Sequence, residues 1–257
     1  MADRPGLLAT TDLQNIAGLE ERALNAWPCV RSVMDGGWVL RLSGGYTKRA
    51  NSANALHPRK PFAEIVAAAE QFYPAHGLPT VFRLSPLAPS EADALLAQRG
   101  YALRDPSHVL TASLKGFAFD AEGEVASALP QAWLEGFARA NGQPEPQRVA
   151  HERLVGLIAL PCGFATIRRD GEAVAFGMAV LEGGDAGLFD IVVSPGHRGQ
   201  GLGRAVTATL LGWAAVAGAE RAYLQVHRDN RPALNLYGSL GFRAVYDYHY
   251  RVAPAGP

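Results

Sequence analysis

Cysteine is nearly absent, with Cys29 and Cys162 the only two in 257 residues. Two distant thiols outside any ligand spacing exclude a disulfide framework and a zinc site, and they point to a reducing compartment. An excess of one charge is missing too. Basic and acidic side chains number 24 each, so no overall field favours nucleic acid or an anionic membrane. Long apolar runs are also lacking, since AVTATLLGWAAVAGA is too short and interrupted to cross a bilayer. The opening MADRPGLLATTDL has no apolar core followed by a small-residue cleavage site. The expectation is a cytoplasmic protein without metal, nucleic-acid or membrane partners.

What is present alternates between helical and strand patterns. Leu13, Ile16, Leu19, Ala23 and Trp27 recur at helical steps, with Asp12 as N-cap and Pro28 as stop. GWVLRLSGG reads as a strand, and the polar YTKRANSANAL as a strand entering a loop. Pro61 to Tyr73 is helical, TVFRLSP a strand, SEADALLAQRG a helix and YALRDPSHVLTASL a strand. Periodicity fades over 116–129, which places a domain boundary between residues 118 and 119. Beyond it come a helix over 130–140, a hairpin turning at Asp170-Gly171, and the strand AGLFDIVVSP. A very apolar helix over 204–216, the strand ERAYLQVH, the helix RPALNLYGSLG and the strand FRAVYDYHYRV complete the chain. Laying Gly100 on Gly241 aligns LLAQRGYAL with LYGSLGFRA, and helix, strand and helix precede each. That suggests a duplicated domain.

The most informative stretch is PGHRGQGLGRA, between a strand and a helix. Gly196 and Gly201 have P-loop spacing, but Leu202 and Gly203 stand where Lys and Ser/Thr are needed. A dinucleotide fingerprint fails as well, because Arg204 or Arg198 occupies a required glycine position. Arg-x-x-Gly-x-Gly is satisfied by Arg198, Gly201 and Gly203. Glycines there let backbone N–H groups turn toward an anion, and the helix start adds unpaired donors and a positive dipole end. Such a loop suits a diphosphate.

Together, VVSPGHRGQGLGRA and VHRDNRPALNLYGSLGF resemble the two best-marked motifs of the GNAT superfamily, the acyl-CoA-dependent N-acyltransferases. The resemblance covers about residues 130–250. It implies an α/β (α+β) fold, a mixed and mostly antiparallel sheet flanked by helices whose central strands splay apart. With the internal match, two GNAT-like domains are expected. Residues 1–118 form a degenerate one without the cofactor motif, and 119–257 the catalytic one. The resemblance also implies acetyl-CoA as cosubstrate. Arg198, Gly199, Gln200, Gly201, Leu202, Gly203 and Arg204 would hold its diphosphate. Ile191, Val192 and Val193 would pair with the pantetheine arm, Val193 or its neighbour would polarise the thioester, and Asn230 would touch the arm.

The same resemblance sets Tyr237 against the departing sulfur. A phenol near pKa 10 is a weaker acid than a thiol near 8.5, so Tyr237 serves first as a hydrogen-bond donor. Its ordinary alternative is a core tyrosine on an amphipathic helix. Some relatives use a glutamate as base five residues before the motif asparagine, but Gln225 stands there. Asp190 in LFDIVVSP is then the first choice, with a structural aspartate, His227 or a water chain as alternatives. Arg49 and Asn51, in the polar YTKRANSANAL, are expected to border the acceptor site, the alternative being a solvated loop. Cys162 follows a proline and lacks an adjacent base, which disfavours a covalent thiol mechanism. The reading is an N-acetyltransferase acting by direct attack on a primary amine of a small molecule or peptide. A non-catalytic acyl-CoA sensor is the rival, and a homodimer is compatible with either.

Overall fold

The computed structural model describes residues 10–116 and 122–254. The boundary expected at residue 118 falls outside them. In the first half, α1 (Thr10–Ala26) leads into β1 (Arg31–Asp35), β2 (Trp38–Leu42) and β3 (Ala53–Ala55). Then follow α2 (Phe62–Phe72), β4 (Val81–Leu84), α3 (Ala92–Gln98) and β5 (Ala102–Ser113). The second half contains β6 (Glu124–Ala126), α4 (Gln131–Ala140), α5 (Glu145–Val155), β7 (Cys162–Arg169), β8 (Glu172–Glu182) and β9 (Asp185–Val193). It ends with α6 (Leu202–Val216), β10 (Arg221–His227), α7 (Arg231–Ser239) and β11 (Arg243–Val252).

Among the described residues all the strands join one mixed, mostly antiparallel sheet of 11, in the order β1-β2-β3-β4-β11-β5-β10-β9-β8-β7-β6. The final strand β11 inserts between β4 and β5, and β5 in turn pairs with β10. Each half thus lends a long strand, β5 or β11, to the other. The order mirrors itself about the β11–β5 pair, and the parallel pairs β3–β4 and β9–β10 occupy corresponding places.

Alternation along the strands divides the core. On β8, Phe176, Met178 and Val180 face the layer of α1, α4 and α5, while Ala175 and Ala179 face α6. Over the first half, Phe62, Ile65, Val66 and Ala69 of α2 cover the same side of β2 and β4 as Leu96 of α3. The hairpin forms at Asp170-Gly171 as expected, with both residues at positive φ (50° and 83°).

Helix α1 belongs to the first half in sequence but packs across β8 and β9. Arg22 pairs with the buried Asp185 at 2.9 Å, and Arg221 grips the same carboxylate at 2.6 and 2.8 Å. Deeper in, Glu20 of α1 and Arg83 of β4 form an ion pair, both almost fully buried. Tyr246 donates to the other Glu20 oxygen at 2.5 Å, and the Arg83 guanidinium lies 3.8 Å from the Tyr248 ring centroid. The alternating tyrosines of β11 are therefore core residues that tie α1 and β4 to the centre of the sheet.

Candidate active site

The cleft arises where two strands stop pairing. β9 and β10 run parallel from Asp185–Arg221 to Leu188–Leu224, and beyond that register they separate. The edge of β9 carrying Ile191, Val192 and Val193 is left without a strand neighbour toward β10. A cavity of about 310 Å³ opens in the gap. Asp190, Ile191, Val192, Gln225, His227, Asn230 and Tyr237 line it, and Arg49 reaches it from the first half.

A bulge shapes one wall. Phe176 pairs with Val192 and Met178 with Phe189, so β9 carries an extra residue there, and Asp190 takes a left-handed backbone (φ 54°). In a regular strand Phe189 and Asp190 would face opposite sides. Here Phe189 stacks on Trp27, and the Asp190 carboxylate reaches His151 on the same helical layer. His151 Nε2 lies 2.7 Å from Asp190 Oδ2. His151 is buried, stacks on Phe137 at 4.6 Å between ring centroids, and is bordered by Trp27, Trp133 and Tyr46. Donation of the Nε2 proton to the carboxylate selects the ring tautomer. Burial, followed by the negative charge of Asp190, raises the Tyr46 phenol to about 12. Its oxygen accepts from Gln143 Nε2 at 3.0 Å.

The opposite wall is α7. Asn230 caps this helix, its side chain accepting from Ala233 N at 3.2 Å, and Tyr237 points into the cleft from the second turn. Burial alone raises the Tyr237 phenol to about 12. At about 3.5 units above a thiol, proton transfer to a leaving thiolate would be uphill by about 5 kcal/mol. A phenol raised this far keeps its proton and is available as a hydrogen-bond donor. Gln225 Oε1 accepts from the Tyr248 hydroxyl at 3.0 Å, so this side chain is anchored to β11.

Below the cleft, the glycine loop runs through a 3-10 turn (Pro195–His197) into α6. The helix begins at Leu202, slightly earlier than its apolar pattern indicates. Gly199 and Gly201 have φ of 76° and 80°, and the Gly201 N-cap supplies no side-chain acceptor. The first-turn N–H groups of α6 thus lack intrahelical partners and have no capping side chain. Arg198 Nε donates to Val193 O at 3.2 Å, and Arg204 Nη1 to Ser239 Oγ at 2.7 Å, which holds both exposed cations beside the loop. Gly203 has a different reason to be small. A Cβ there would meet Leu236 Cδ1 at 2.9 Å, so this glycine lets α6 and α7 approach.

The residues expected in the site do not all gather there. Asn51 is buried in its own loop, where Oδ1 accepts from Ser43 N (2.7 Å) and Gly45 N (3.0 Å). Its Nδ2 donates to Tyr46 O (2.8 Å) and Thr47 O (2.9 Å). All four hydrogen-bonding positions are used, and it does not line the cleft; it holds the loop that carries Arg49. Cys162 lies outside the cleft, with its thiol raised to about 11 by burial and donated to Leu160 O. Two neighbours of Asp190 escaped the sequence reading. His151 sits on α5, whose EPQRVAHERLV gives little amphipathic signal, although His151, Leu154 and Val155 have helical spacing on one face. Tyr46 follows a glycine pair in a polar loop, with no period to mark it.

The chain as a whole has counterparts among known proteins. The family described as "Probable histone acetyltransferase Rv0428c C-terminal" matches residues 13–251. The uncharacterized N-acetyltransferase YobR of Bacillus subtilis is 32% identical over 251 residues, covering 93% of this chain and 99% of its own. A solved GCN5-related N-acetyltransferase from Kribbella flavida has a TM-score of 0.71 at 20% identity, over 97% of this chain and 98% of that one. A tandem GNAT protein from the clavulanic acid biosynthesis pathway has a TM-score of 0.66 at 15% identity, over 100% and 91% of the two chains. Among the described residues no helix is long and apolar enough to cross a membrane, and no group of side chains could hold a metal ion.

Proposed function

Because this chain belongs to the GNAT family of N-acetyltransferases, we propose that it moves an acetyl group from acetyl-CoA to a primary amine of a small molecule or peptide. The observation that carries this reading is the splay beyond Leu188 and Leu224, with the glycine loop at one end and a protonated phenol at the other.

The residues fit the acyl donor. Gly199, Gln200, Gly201, Leu202 and Gly203 would offer backbone N–H groups to the diphosphate, with Arg198 and Arg204 adding charge. The free edge at Ile191, Val192 and Val193 would receive the amide-bearing arm as an added strand, beside Asn230. A backbone N–H at or next to Val193 would polarise the acyl carbonyl. The thioester supplies an activated acyl carbon, and the remaining tasks are proton management. Asp190 would take the proton from the amine, and Tyr237 would donate to the departing sulfur. The buried, raised thiol of Cys162 supports direct attack rather than a thiol intermediate.

The mirrored strand order supports a duplicated origin, with units on either side of residue 118. On that reading the first half has lost the donor site, since PRKP stands at its strand–helix joint and Leu96 where the second half has Tyr237. It retains a part in acceptor binding through Arg49.

A thiol-release assay with acetyl-CoA over amine classes tests the function. Turnover with at least one class is expected, falling about 100-fold or more in kcat for Asp190→Asn. Binding of CoA without release from any amine would overturn it.

A further inference from the structure

We propose that the acceptor bears a carboxylate close to its amine, as a free amino acid does, and that Arg49 binds that carboxylate. The inference rests on the cleft being the acetyl-transfer site and adds the acceptor's chemical class.

Arg49 is the only arginine or lysine lining the cleft among the described residues. Its guanidinium carbon lies 5.6 Å from the Trp27 ring centroid and 5.4 Å from that of Phe189. Those faces fix the plane of the group without neutralising it. No carboxylate among the described residues pairs with it, and its buried Nε has no hydrogen-bond partner. The two fully buried guanidiniums, by contrast, each have an acceptor: Arg83 is paired with the Glu20 carboxylate through Nη1, although its Nε and Nη2 are unpartnered, and Arg41 has the carbonyls of Leu24, Trp27 and Arg49 itself. The bond from Arg41 Nη1 to Arg49 O, at 2.9 Å, also pins the backbone from which Arg49 projects. Trp27 Nε1 donates to Thr47 Oγ1 at 3.1 Å, which holds the same turn against the ring beneath Arg49. The cation is thus pre-positioned and lacks a partner.

The bulge decides where that partner's amine would lie. Phe189, under Arg49, and Asp190, the amine-facing carboxylate, are consecutive residues turned to one layer. An acceptor held between them meets a cation and an anion in adjacent positions, which complements a zwitterion. One guanidinium fork matches one carboxylate. A phosphate dianion would find no second arginine or lysine in the cleft and would face the charge of Asp190.

The test compares free amino acids with their carboxamides and decarboxylated amines as acceptors. The wild-type protein is expected to favour the acids by about 100-fold in kcat/KM, mostly through KM. Arg49→Gln should bring acid and amide within roughly threefold and leave CoA affinity unchanged. Arg49→Lys, which keeps charge but loses the fork, should fall between them. Wild-type turnover indifferent to the carboxylate would overturn the inference and leave acetyl transfer standing. A second arm reads the site without turnover, by calorimetry of N-acetyl amino acids and N-acetyl amino amides on the CoA-loaded protein. Preference for the acid form supports the inference even if no amine is acetylated, which would sink the transferase reading alone. Equal binding of both forms overturns it, and no variant needs to fold for that measurement.

Discussion

His151 Nε2 and Asp190 Oδ2 lie 2.7 Å apart, although α5 and β9 place them 39 positions apart in sequence. The imidazole is buried among aromatic rings and the carboxylate lines the cleft, so in the proposed reaction the histidine would act only through the aspartate it holds. His151→Phe, which fills the cage without an N–H, is expected to lower kcat about tenfold to a hundredfold. The KM for acetyl-CoA should stay unchanged. His151→Gln, which retains a donor, should recover part of the loss. Equal kcat in both variants would assign His151 to packing alone.

Tyr237 should remain protonated across the working range, because burial raises its phenol to about 12. In the unfolded chain the same phenol ionises near 10. Its contribution to stability is fully present below about pH 10 and is lost as pH rises through about 12. Urea midpoints should fall more steeply above pH 10 in the wild type than in Tyr237→Phe. The same variant should lose kcat while keeping affinity for CoA.

Two glycines of the anion loop should fail in different ways. Gly201 is left-handed with open space around its Cβ position, so Gly201→Ala is strained by roughly 1–2 kcal/mol. Its chief effect should be a higher KM for acetyl-CoA, with Gly201→Asn milder. Gly203→Ala instead presses on Leu236 and should destabilise by about 1 kcal/mol. A double-mutant cycle with Leu236→Ala should show coupling only for Gly203.

The Glu20–Arg83 pair joins α1 to β4 in the dry interior. Glu20→Gln strands the Arg83 charge and should destabilise by about 3–5 kcal/mol in urea unfolding. Replacing both at once, as Glu20→Leu with Arg83→Met, should restore most of that loss. A double variant no better than the single one would assign the stability to Tyr246's hydrogen bond instead.

Much of the architecture was legible because it is written in local patterns. Asp170-Gly171 specifies its hairpin, the apolar run of α6 its helix, and the two spaced motifs the cleft at its base. Helix α5 was missed because a histidine fills a slot that an apolar residue would mark, while Val149 on the same helix is exposed. The edge strands β1 and β6 bury little, so neither carries the apolar run that marks β2 and β4. Gly203 looked like an anion-loop glycine, yet its size answers to a side chain on another helix. Asn51 looked like a substrate contact because polarity in sequence does not reveal whether hydrogen bonds are already used. The exchange of β5 and β11 is invisible locally, since alternation fixes which face is buried and not which strand lies alongside.

That exchange also governs the order in which the protein can be assembled. During synthesis the first half emerges with β4 and β5 both available but without the strand that belongs between them. Its missing neighbour is made more than a hundred residues later (Ser113 to Arg243). The nascent first half therefore cannot close its own sheet, and long-range pairing of this kind slows folding. Emergence of β11 from the ribosome, rather than completion of the first half, becomes the event that lets the sheet close. Truncation before β11 should leave both halves open, not one folded and one lost.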